Sequence, residues 1–220
     1  MFAFFKSAAV LICAALALAP ASARAALYSL QASGTISAST EAALPAGTPW
    51  SFELVYDTAA PDGSSDPTFG QFGNTSAPPA LTSFHYQAGS YEVALDNPAD
   101  FGVASDILIT FTAVHAIDIN LNADDLFPPL TGGAVRFHAD FNDFSSRPIF
   151  VSDALPTDPA LGPDSFDLIT VSLLPASGEV SGSSLASFTV RAVDEPSSLA
   201  LAIVGSFALL VVRRRAAEFV

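Results

Sequence analysis

The chain has 220 residues, enough for one domain of ordinary size; half are hydrophobic, only 14% are charged, and the formal net charge is −14. Between residues 26 and 195 the imbalance deepens to 21 acidic residues against three basic ones, Arg136, Arg147 and Arg191, a balance of −18 with no lysine. Such a field repels a phosphate backbone and excludes nucleic acid as a partner, while divalent cations, basic partners and plain solubility stay compatible with it.

Residues 1–25 have the three zones of a secretory signal peptide. Lys6 gives the positive start, and residues 7–19 (SAAVLICAALALA) form an apolar run of 13, too short to span a bilayer core of about 30 Å. Pro20 ends that helix, and two overlapping A-x-A sites follow, placing signal-peptidase cleavage after Ala25, with Ala23 as the alternative. The single cysteine, Cys13, lies inside this leader behind the bulky Ile12, so it is no lipid-acceptor site and the exported part has no disulfide. A body of about 170 residues buries enough surface to fold without one.

From residue 26 to residue 193 the hydrophobic period is two. Tyr28, Leu30, Ala32, Gly34 and Ile36 alternate with Ser29, Gln31, Ser33, Thr35 and Ser37. Trp50, Phe52, Leu54 and Tyr56 alternate with Ser51, Glu53, Val55 and Asp57, which sets Glu53 toward water. Less regular alternation recurs over 81–87, 90–96, 107–113, 115–121, 134–141, 166–174 and 185–193. Clusters of Pro, Gly, Asp, Asn and Ser separate these runs, and no stretch shows ten residues of helical periodicity. About nine short strands without helices predict an all-β fold, an antiparallel β-sandwich, flanked by the signal helix and a C-terminal helix. Two intervening segments, 57–79 and 145–165, are long for loops of a compact domain, the mark of a functional or a mobile segment.

Candidate chemistry in this body is thin. His85, His115 and His138 each fall in a predicted strand, but no pair has the spacing of a preformed zinc site, so they read as isolated surface histidines. No G-x-S-x-G elbow is present. Two acidic turns, Asp62-Gly63-Ser64-Ser65-Asp66 and Asn122-Ala123-Asp124-Asp125, group hard oxygen ligands of the kind calcium takes, yet neither follows the EF-hand spacing and solvated turns account for them. The expectation is no metal and no cofactor. Asn74-Thr75-Ser76 fits the N-glycosylation tripeptide. Of 18 aromatic residues in the body, 13 are Phe, which cannot hydrogen-bond a sugar hydroxyl, so core packing is their expected role, Trp50 included.

The tail, residues 194–220, opens with Asp194-Glu195-Pro196-Ser197-Ser198. Residues 199–212 (LALAIVGSFALLVV) follow as an unbroken apolar run, and Arg213, Arg214 and Arg215 close it. Pro196 suits the first turn of a helix, where its missing N–H costs nothing. Three arginines directly behind an apolar run act as a stop signal and set that end on the cytoplasmic side. An acidic-Pro motif, a short apolar helix with Gly205 in its middle and a basic cluster together resemble the PEP-CTERM sorting signal of exopolysaccharide-producing Gram-negative bacteria. Asp194 stands where the family has its first proline, and residues 216–220 extend beyond the arginines. The resemblance covers about 25 residues and implies an exosortase substrate. On that reading the chain is exported, held in the inner membrane by its C-terminal helix as a precursor, cut near residues 194–198, and left at the cell surface or outside the cell. Its processing partners are then signal peptidase and an exosortase. The expected role is that of a non-enzymatic surface or extracellular-matrix protein; the alternatives are a carbohydrate-binding module with exopolysaccharide as partner, and a secreted hydrolase.

Overall fold

The computed structural model describes residues 26–193 apart from 112–113, 123–125, 131–134, 146–148, 176–179 and 183. The signal peptide with Ala23 and Ala25, and the tail with residues 194–198, the apolar run 199–212 and Arg213 to Arg215, lie outside the described residues.

Alternation makes the strands. β1 (Leu27–Thr35), β3 (Pro49–Asp57), β5 (Leu81–Ala88), β6 (Tyr91–Leu95) and β12 (Ser184–Ala192) form a five-stranded antiparallel sheet in the order β12-β1-β3-β5-β6. The second sheet has seven strands in the order β2-β11-β10-β9-β8-β7-β4, built from β2 (Ala38–Ser39), β4 (Phe69–Gly73), β7 (Asp106–Phe111), β8 (His115–Leu121), β9 (Val135–Asp143), β10 (Leu168–Pro175) and β11 (Val180–Gly182). Each expected run forms a strand. Among the described residues there are twelve strands rather than about nine, because β2, β4 and β11 have only two, five and three residues. Runs that short carry too little alternation to stand out. β4 lies inside 57–79, where Gly70 and Gly73 disguise a strand that pairs Phe72 with Ile107.

The inward rows face each other and close the sandwich. On the five-stranded sheet Leu30 pairs with Leu54 and Ala32 with Phe52, and Phe52 in turn pairs with Tyr86. Phe52 and Phe84 reach across to Phe137 of β9, with ring centroids 5.1 Å and 4.7 Å apart, and Phe141 of β9 meets Phe188 of β12 at 4.9 Å. Tilted and edge-on rings of this kind stabilise a core beyond the area they bury. Trp50 is 3% exposed and stacks on Phe52, so it is a core residue as its strand position requires.

Close approach needs glycine at residue 34. A Cβ on Gly34 would fall 1.9 Å from the Ser184 carbonyl oxygen and 2.7 Å from the Trp50 ring, where β1 slips register against β12. At the β5–β6 hairpin, Gly89 takes φ +58° at the first position of a two-residue loop, which suits a type II′ turn.

The other long segment, 145–165, has no strand among its described residues, yet it is packed: Phe150, Leu155 and Leu161 are buried, and the buried Tyr56 hydroxyl donates to the Pro156 carbonyl. Burial pushes that phenol far above its ordinary range, so it stays protonated and donating. The two ends of the body lie side by side. Tyr28 pairs with Ala192, the Val193 amide donates to the Leu27 carbonyl, and the Ala26 carbonyl accepts from Thr58.

Candidate functional site

With the apolar side chains turned inward, the outer face of the five-stranded sheet is polar, and strand pairing arranges its side chains in rows. One row runs Thr189, Gln31, Glu53, His85 across β12, β1, β3 and β5. The next runs Ser187, Ser33, Ser51, Gln87, Glu92 and reaches β6. Three short serines side by side leave a trough, and the longer side chains of the first row wall it. The result is a shallow groove of about 380 Å³.

Glu53 is the organising residue. Its Oε1 accepts from the Ser29 hydroxyl at 2.6 Å and from the Gln31 amide at 2.7 Å, with an Arg191 guanidinium nitrogen 3.9 Å away. The hydrogen bond from Ser29 is the largest influence on the carboxyl. Burial opposes it, but together with the Gln31 hydrogen bond and the charges of Arg191 and His85 the Ser29 bond holds the group below its ordinary value. No described contact uses Oε2. His85 is fixed from its other side: Nε2 sits 2.6 Å from Asp96, one residue past β6. Ser33 and Ser187 share a hydrogen bond of 2.7 Å across β1 and β12.

The three histidines do not converge. His85 lies on the outer face just described, His138 on the outer face of the seven-stranded sheet, and His115 is buried. His115 departs from the surface role expected of it. Its ring stacks on Phe150 at 5.9 Å, and its Nδ1 accepts from the Phe150 amide at 3.1 Å, so it anchors the segment 145–165. His138 is 3.2 Å from Asp118, on the strand beside it. The Asp118 hydrogen bond raises the His138 imidazole above its ordinary value, outweighing burial, and the charges of Asp118 and Asp140 act in the same direction.

The acidic turn at residues 62–66 is committed to the backbone. Asp62 Oδ1 accepts from the Ser64 and Gln71 amides, both at 2.8 Å, and Asp66 Oδ1 accepts from the Thr68 amide and hydroxyl. Asp124 and Asp125 of the second turn lie outside the described residues. Among the described residues no group of three or more His, Cys, Asp or Glu is placed to hold a metal ion. Asn74 donates its side-chain amide to the Pro98 and Phe101 carbonyls, a structural use that ties β4 to the segment before β7.

Sequence reasoning placed Gln31, Ser33, Ser51 and Glu53 on outward positions but did not bring them together with His85, Gln87 and Glu92. The signal was present in the alternation of each strand; the missing information was strand order. Comparison of the chain with known protein families, with characterised proteins and with solved structures finds no match.

Proposed function

We propose that the chain is an exported, non-enzymatic surface or matrix protein whose β-domain is delivered to the cell exterior by the signal peptide and by an exosortase-type tail. The observation that carries this reading is the position of the two ends of the body. β1 begins at Leu27, two residues beyond the expected cleavage site at Ala25, and β12 ends at Ala192, two residues before Asp194. The two strands are antiparallel neighbours, so the start of β1 and the end of β12 lie side by side at one end of the sheet. The last described strand of the body ends before Glu195-Pro196, so removal of the tail there takes no residue of that strand. Cleavage at both ends then releases the sandwich intact, and no strand has to be withdrawn from a sheet.

Mass spectrometry of the protein from the extracellular fraction tests this directly. The expected product starts at Ala26, or at Arg24 if the alternative site is used, and yields no peptide from Leu199 onward. Recovery of an intact C-terminal apolar segment in that fraction overturns the processing step.

A further inference from the structure

In the groove on the five-stranded sheet, side chains from all five strands turn polar groups into a common depression. We propose that this face is a binding site for a neutral, hydroxyl-rich polymer, a polysaccharide chain lying across the strands. The proposal takes from the preceding section only the exposure of the domain to extracellular polymer.

Three observations carry it. The first is the length of the site. Five strands at a spacing of roughly 4.8 Å give a row about 19 Å long, the reach of a short oligosaccharide segment. The second is the chemistry of the lining. A sugar hydroxyl both donates and accepts, and the groove offers acceptors in Glu53 and Glu92, amides in Gln31 and Gln87, and hydroxyls in Ser33 and Ser51. The Ser51, Gln87 and Glu92 side chains have no described hydrogen-bond partner within the protein. Glu53 is held in one orientation by Ser29 and Gln31 and His85 by Asp96, which lowers the ordering cost of binding.

The third observation is charge. A domain at −18 over residues 26–195 repels polyanions such as uronate-rich polymers. Within the groove, the Arg191 guanidinium 3.9 Å from Glu53 offsets one of the two lining carboxylates, Glu53 and Glu92. A polycation would be drawn to acidic positions over the entire surface and would gain nothing particular from this face. A neutral polymer is held instead by hydrogen bonding, which this face supplies in a row that crosses all five strands. Carbohydrate sites often place an aromatic ring under the sugar; here the rings are in the core, and recognition rests on hydrogen bonds, which implies weak binding per unit, with affinity gained along the polymer.

The test is affinity electrophoresis of the full-length chain in a detergent without a sugar head group, through gels containing a neutral β-glucan, a neutral galactomannan, alginate or chitosan. Retardation by at least one neutral polymer is expected, with none by alginate. Gln87→Ala and the paired Ser51→Ala/Gln87→Ala variant should weaken that retardation by tenfold or more. His138→Ala, on the outer face of the other sheet, should leave it unchanged. Melting curves of each variant establish that the fold is retained; should the paired variant fail to fold, Gln87→Ala alone decides. No retardation by either neutral polymer, retardation by chitosan alone, or retardation indifferent to Gln87 overturns the proposal. So does retardation equally sensitive to His138. None of these outcomes touches the processing products at the two termini, so the export reading stands or falls separately.

Discussion

Phe52 of β3 and Phe137 of β9 meet edge to face across the sandwich, with ring centroids 5.1 Å apart and planes at 72°. This contact joins the centre of one sheet to the centre of the other. Phe52 is 3% exposed and also touches Trp50, Phe84 and Phe141. Phe52→Ala is therefore expected to cost about 3–5 kcal/mol, through lost transfer energy and the cavity it leaves. Against a total of about 5–15 kcal/mol for a domain, that is a large fraction. Chemical denaturation of the full chain, followed by tryptophan fluorescence from Trp50, measures it. A cost below about 1 kcal/mol would contradict the placement of Phe52 at the centre of the core.

One residue along, Glu53 is not the indifferent surface position that alternation alone suggests. Ser29 is 1% exposed, and its hydroxyl donates to Glu53 Oε1. Glu53→Ala strands that hydroxyl and should cost on the order of 1 kcal/mol, whereas Glu53→Gln keeps an acceptor and should cost less. Because the folded carboxyl lies below its ordinary value of 4.5, the charge-dependent part of its contribution is present above that value and is lost as pH falls through the folded one. The stability gap between wild type and Glu53→Gln should narrow on acidification. A gap that widens below pH 4.5 would reverse the assignment.

His138 titrates in the opposite sense. Asp118 and Asp140 are directly opposite one another on β8 and β9, a repulsive cross-strand pair, and a protonated His138 beside Asp118 offsets it. With a folded value raised above 6.5, this contribution is complete below 6.5 and fades as pH rises through the folded value. Relative to His138→Gln, wild-type melting temperature should decline on going from pH 6 to pH 8. Parallel melting profiles for the two proteins over that range would remove His138 from the account.

Replacing Arg213, Arg214 and Arg215 together by Ala removes the charges expected to hold the tail on the cytoplasmic side. The variant should shift between membrane and extracellular fractions or fail to be processed, read as a change in fractionation and gel size. Wild-type behaviour on both counts argues against a stop signal at these residues.

Much of the fold is legible in the chain because a strand's period of two records which face is buried. The inward row Trp50, Phe52, Leu54 and Tyr56 could be read without coordinates, and so could the absence of helical periodicity from the body. The short β2 and β11 could not, since two or three residues hold no period. β4 was masked by its glycines. His115 shows a further limit: its position in a strand was plain, but its burial depends on Phe150 arriving from a segment with no periodicity at all.

What the sequence determined by itself is therefore the class of the fold, the composition of its core rows, and the apolar, motif-bearing ends from which its export is inferred. Partner strands were decided only in three dimensions. β1 lies between β12 and β3, so Ser187, Ser33 and Ser51 share a row although the first is more than 150 positions from the second along the chain. Alternation assigns each residue to a face, but packing of the two sheets and the register of their hydrogen bonds choose its neighbours. The core rows were readable because burial is imposed strand by strand. The groove was not, because it exists only where five separately readable outer faces are laid edge to edge.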